Sequence, residues 1–147
     1  MKNVFLSLFF PLFFSIPASA VEYPDMVGAW SGHVRVVSSG TNVSDQVASG
    51  GAVLSELELT VTIDYQEGET FIGKSRASTT PREQASTPVW GAIRSTGDEA
   101  MFVTAAGGRG HLWLKQRNEF EYCITNLEET VITAYCGILN RKQRNKE

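Results

Sequence analysis

The side chains able to do chemistry in this sequence are few and scattered. Cys123 and Cys136 lie near the C-terminal end, and the two histidines, His33 and His111, fall in separate regions. A zinc site needs closely paired ligands, and these spacings supply none. An even pair of cysteines in an exported chain is read first as a disulfide, because the thiols meet oxidising surroundings. Support for catalysis is weak. There is no Gly-x-Ser-x-Gly elbow, and a bridged cysteine offers no nucleophile. Glu56, Glu58 and Asp64 share one outward face of one segment, so they do not converge as an acid–base pair must. Gly107-Gly108-Arg109-Gly110 has the glycines of an anion-binding loop but no helix behind it, and it reads as a hairpin turn. The protein is therefore read as non-catalytic, with neither metal nor cofactor expected.

Export is read from the N-terminus. Lys2 precedes an apolar run from Val4 to Ile16, broken by Pro11, and then Ala18-Ser19-Ala20. That is the charged, apolar and small-residue order of a secretory signal peptide, and the run is too short to span a bilayer as a helix. The expected division is a signal peptide at 1–20, a folded domain at 21–141 and a basic tail at 142–147. Of the 147 residues, 127 remain after cleavage, enough for one domain with one core. The formal charge is −3, and loss of Lys2 makes it −4. An acidic chain without a basic face is a poor partner for nucleic acid. A periplasmic or secreted, soluble protein is expected.

The elements that must position any site are strands. Helical periodicity is nearly absent, whereas Leu57 to Tyr65 alternates apolar and polar at every step. A half-buried antiparallel strand produces that pattern, because successive side chains point to opposite faces. Turn signals at Gly68, Gly97-Asp98, Gly107-Gly108 and Arg117-Asn118 cut the rest into similar lengths. Eight strands result: 29–38, 54–66, 70–79, 88–95, 99–106, 109–116, 119–126 and 131–141.

Two-residue turns fix a register. They pair Ile93 with Phe102, Thr104 with His111 and Trp113 with Tyr122. Setting Cys123 against Cys136 adds Phe120 with Leu139 and Ile124 with Tyr135. One inner face follows, with Val89, Ile93, Phe102, Trp113, Tyr122 and Leu139 in the later strands. Trp30, Val34, Leu57, Leu59, Tyr65 and Phe71 supply it in the earlier ones. The outer face of the later strands then carries Trp90, Ala92, Met101, Val103, Leu112 and Leu114, with Ile132 and Ile138 on the last. A contiguous apolar exterior of that kind tends to mark protein contacts, so a homo-oligomer or an envelope partner is expected there.

An eight-stranded meander with an apolar inner face closes into an all-β, up-and-down barrel, since closure removes both exposed edges. Trp30 and Arg141 meet at the closure with the same parity, so the guanidinium can cover the indole. Gly28-x-Trp30 opening the first strand, with Arg141 ending the last, resembles the signature of the calycins, the group of lipocalins, fatty-acid-binding proteins and avidins. The resemblance extends to strand count, topology and two long loops, 39–53 and 80–87, at one end. It implies a cup for a small, mostly apolar molecule. The departures are Gly32, where avidins place a biotin-contacting Asn, and the missing second lipocalin motif, so no family ligand carries over.

A cup of this type places Ser75, Thr104, Arg109, His111 and Tyr135 inside near the loop-bearing end, where they would hold a small apolar or amphipathic ligand. Thr104, His111 and Tyr135 would orient it, and Arg109 at the rim would meet an anionic head group. Gly73, Ser75, Ala77, Gly91 and Ala106 would leave it room. The alternative is a protein-interaction module, acting through the apolar outer face or through a free N-terminal arm, 21–26, of the kind some exported barrels insert into proteases.

Overall fold

The alternation seen in the sequence is the organising fact of the computed structural model, which describes residues 22–40, 52–78, 86–127 and 131–143. Eight strands follow in order: β1 (Gly28–Gly40), β2 (Ala52–Glu67), β3 (Thr70–Ser78), β4 (Thr87–Ile93), β5 (Glu99–Thr104), β6 (Arg109–Gln116), β7 (Glu119–Leu127) and β8 (Val131–Arg141). Each pairs antiparallel with the next, and β1 pairs with β8, so the sheet is a closed eight-stranded barrel. This is the calycin-like, all-β, up-and-down architecture expected. The segment 1–20, expected from the sequence to be a signal peptide, residue 21, most of the 39–53 loop, and residues 79–85, 128–130 and 144–147 lie outside the described residues.

Trp30, Val34, Leu59, Val61, Ile63, Phe71, Val89, Phe102, Phe120 and Leu139 are buried inside, while Glu56, Glu58, Lys74 and Arg76 face outward. Membrane-spanning barrels reverse that polarity, with lipid-facing apolar and lumen-facing polar residues. Among the described residues no helix is long and apolar enough to cross a membrane. The barrel below the cavity and beside it is packed by rings lying over glycines. A Cβ on Gly91 would stand 2.1 Å from the Phe71 ring, and one on Gly110 would stand 2.4 Å from the Phe102 ring. Gly91 therefore seats a phenylalanine and opens no cavity, contrary to the sequence expectation.

Closure at the lower end is more elaborate than one pair. Arg141 lies opposite Trp30 in the register and 4.4 Å above the indole, as expected. The N-terminal arm folds across the same end. Met26 is fully buried, its N–H donating to Gln66 Oε1 at 2.8 Å and its carbonyl accepting from Trp30 Nε1 at 2.9 Å. Gln66 Nε2 donates to the Pro24 carbonyl at 3.0 Å, and Arg141 Nη1 donates to Asp25 Oδ2 at 3.3 Å. Residues 24–26 are thus part of the barrel floor and do not form a free arm.

The register agrees with expectation at β7–β8, including Phe120 with Leu139, Cys123 with Cys136 and Ile124 with Tyr135. The Cys123–Cys136 disulfide is formed. At β4–β5 the loop is longer: Arg94 N–H donates to the Glu99 carbonyl, enclosing Ser95 to Asp98. Ile93 therefore faces Ala100 and Gly91 faces Phe102. A shift of two leaves every side chain on its expected face.

The next loop inverts β6. Thr104 N–H donates to the Gly108 carbonyl, enclosing Ala105, Ala106 and Gly107, and Gly107 has a φ of 82°. A three-residue hairpin loop with its last residue left-handed replaces the two-residue turn expected at Gly107-Gly108. An odd change of loop length moves each following side chain to the other face. Leu112 is consequently buried, at 2% exposure, and faces Ala100 and Tyr122, while Arg109, His111 and Trp113 point outward. A bulge between Leu114 and Gln116 restores the parity, so β7 keeps its expected inner face. A bulge between Ile63 and Tyr65 likewise turns Tyr65 out, leaving it 53% exposed.

Candidate functional site

Inside the upper end of the barrel, where β1 finishes, a cavity of about 280 Å³ remains. Its apolar lining comes from Leu59, Ala77, Ala106 and Ile124. Its polar lining carries hydroxyls from Ser75, Thr87, Thr104, Thr133 and Tyr135, with the Asn126 amide. The arrangement follows from alternation: Ser75 and Ala77 of β3, Thr104 of β5 and Tyr135 of β8 are inward positions beyond the layer of rings. Three of the five expected ligand-binding residues, Ser75, Thr104 and Tyr135, therefore come together. Thr87, Ile124, Asn126 and Thr133 join them; inward parity at the ends of their strands was the signal that would have found them.

Thr104 is held from both sides. Its Oγ1 accepts from the Gly108 N–H at 2.9 Å, and its own N–H donates to the Gly108 carbonyl. The hydroxyl proton remains available to a guest, since a hydroxyl both donates and accepts. Tyr135 is half-buried, and burial pushes its phenol above the usual tyrosine range. Below it, Tyr122 is almost wholly buried, with its ring stacked on Phe102 at 4.6 Å between centroids and facing Tyr135 at 6.2 Å. Its hydroxyl has no hydrogen-bond partner among the described residues. Desolvation first, and the neighbouring Tyr135 second, raise its pKa strongly, so the phenol stays neutral.

The other two expected ligand residues are corrected. His111 lies on the outer wall, where Nδ1 is 2.9 Å from Glu99 Oε1 and the ring stacks on Trp113 at 5.4 Å. The same carboxylate takes the Arg94 guanidinium, and Arg94 first, then His111, hold Glu99 below the ordinary carboxylate range. Arg109 also points outward, away from the cavity. Both follow from the inverted β6.

The same inversion trims the expected interface. Leu112 is core and Leu114 packs against it, so neither belongs to an outer surface. Trp90, Met101 and Val103 are 46%, 57% and 47% exposed, as expected, and exposed Ile72 extends their strip onto β3. Outer grooves of about 450 and 410 Å³ flank Arg109 and His111. They lie on the convex wall without enclosing strands, whereas the smaller inner cavity is ringed by them.

Neither a protein-family model nor any curated protein sequence matches the chain. Solved structures that it is similar to include a de novo designed fluorescence-activating β-barrel, at 15% identity over 85% of this chain and 99% of that one, with a TM-score of 0.47. A redesigned β-barrel shares 13% identity over 80% and 91%, with a TM-score of 0.43. The S-type phycobiliprotein lyase of Guillardia theta shares 12% over 82% and 90%, with a TM-score of 0.36. At these scores the similarity is one of general shape.

Proposed function

We propose that the protein is an exported, non-catalytic binding protein that takes a small amphipathic molecule into the upper end of its barrel. The observation that carries this reading is the inner cavity, whose lining mixes apolar side chains with several hydroxyls and an amide, the composition expected of small-molecule sites. At about 280 Å³ it falls just below the roughly 300–1,000 Å³ of drug-sized sites, which favours a compact guest over a long acyl chain. Export is supported by the signal-peptide pattern and by a disulfide, which persists in oxidising compartments.

Ala77→Phe tests the reading, because the ring would occupy the cavity while sparing the floor at the other end. Native mass spectrometry of protein taken gently from its exporting cells should show a bound small molecule on the parent and none on the variant. Equal loading of both would refute the assigned location. Tryptophan quenching is a poor assay here, since Trp30 lies at the closed end and Trp90 and Trp113 lie on the outer wall.

A second reading, contact with another protein, is favoured by the exposed strip of Ile72, Trp90, Met101 and Val103. Self-association through it predicts a discrete oligomer by sedimentation that Trp90→Ser converts to monomer. A parent that sediments as a monomer at high concentration removes that form of the reading.

A further inference from the structure

Taking the cavity as the binding site, we infer that its ligand is an uncharged molecule carrying a hydrogen-bonding group, and that the site discriminates against carboxylates and other anions. The wall supplies hydroxyls and an amide, and no Asp, Glu, Lys, Arg or His is among the described residues that line it. The two cations that sequence alone would place near it, Arg109 and His111, are on the far side of the sheet. Arg141 is at the opposite end, engaged with Trp30 and Asp25. A charge moved from water into this cavity would lose hydration without meeting a counter-charge, whereas a neutral hydroxyl or carbonyl finds donors and acceptors at several heights.

A second observation points the same way. The orphan hydroxyl of Tyr122, in the layer beneath Ile124 and Tyr135, is a buried neutral group with hydrogen-bonding capacity unused among the described residues. It does not line the cavity, but it makes the layer beneath the guest neutral as well, so that layer too offers an anion no counter-charge.

Three probes of nearly equal size separate the terms: benzyl alcohol, toluene and benzoate. Each is titrated at pH 7 into the full mature protein and followed by amide shifts in ¹H–¹⁵N spectra, with Ala77, Thr104, Ile124 and Tyr135 as reporters. Benzyl alcohol should bind most tightly, toluene severalfold more weakly, and benzoate at least about tenfold more weakly than the alcohol, a gap of about 1.4 kcal/mol. Benzoate binding as well as the alcohol would overturn the exclusion of charge while leaving the cup intact. Toluene matching the alcohol would overturn the hydrogen-bonding requirement. If no probe moves the four reporters, the cup reading falls and this inference falls with it.

Discussion

Replacing Leu112 by alanine tests the feature on which the assignment of every β6 side chain depends. Leu112 is buried at 2% exposure and stands between Ala100 and Tyr122 in the register. Truncating a leucine in such a place removes its transfer free energy and leaves a cavity, at a cost of about 2.7–5 kcal/mol. Ala100 is too small to fill the gap and Tyr122 is held by its stacking on Phe102, so collapse is limited and the loss should fall near the middle, about 3–4 kcal/mol. Trp113→Ala is the control. That ring lies partly buried on the outer wall against His111, and its loss should cost about 1–2 kcal/mol, an aromatic contact plus the partial burial of the ring. Urea unfolding followed by circular dichroism measures both. With a slope of about 2 kcal/mol per molar urea, Leu112→Ala should move the midpoint down by about 1.5–2 M and Trp113→Ala by only about 0.5–1 M. A larger loss for Trp113→Ala than for Leu112→Ala would refute the three-residue loop and return His111 and Arg109 to the interior.

Tyr122→Phe removes a buried hydroxyl that has no partner among the described residues, so stability at pH 7 should hold or rise by about 1 kcal/mol. Its pH dependence has a definite sign. The unfolded phenol ionises near pH 10 and the buried one well above it, so the parent loses stability as pH rises past 10, by about 1.4 kcal/mol per unit for each such group. Urea midpoints between pH 8 and 11 should show the variant's decline shallower by one proton, and an unchanged slope would mean that the hydroxyl meets water. Replacing both cysteines by serine should cost about 3 kcal/mol through the freer unfolded chain, for a loop of about 14 residues. Because Cys136 is exposed and Cys123 half-buried, the far-ultraviolet spectrum of that variant should match the parent. A collapsed spectrum at low temperature would show that the bridge holds the sheet together.

Most of the barrel was legible because alternation is a local property and closure follows from it. The β7–β8 register came out correctly because the cysteine pair pins it independently of any turn. The site was only half legible. Ser75, Thr104 and Tyr135 lie on strands whose faces the alternation decides. β6 offers large apolar side chains on both faces, Leu112 and Leu114 against His111 and Trp113, so its pattern cannot choose and the loop must. A left-handed glycine closing a three-residue loop was the available signal at Ala105-Ala106-Gly107, and the glycine pair beside it obscured it. The bulge after Leu114 and the one before Tyr65 left no mark, since neither interrupts the run of strand-forming residues. The role of Met26 was hidden because a coil segment has no period to read.

Joining β1 to β8 also sets a timetable. The first strand of the chain acquires its second neighbour only when residues 131–141 are available, and Trp30 must wait for Arg141, the most distant of its partners along the chain. Until then β1 is an open edge, the kind of surface that recruits other strands. The final step joins opposite ends of the chain, and such non-local pairing is slow compared with the hairpins that precede it. Most of the sheet can zip neighbour to neighbour, but the barrel comes into being in one late event. A chain stopped short of β8 would therefore be more prone to aggregate than a chain destabilised along its whole length.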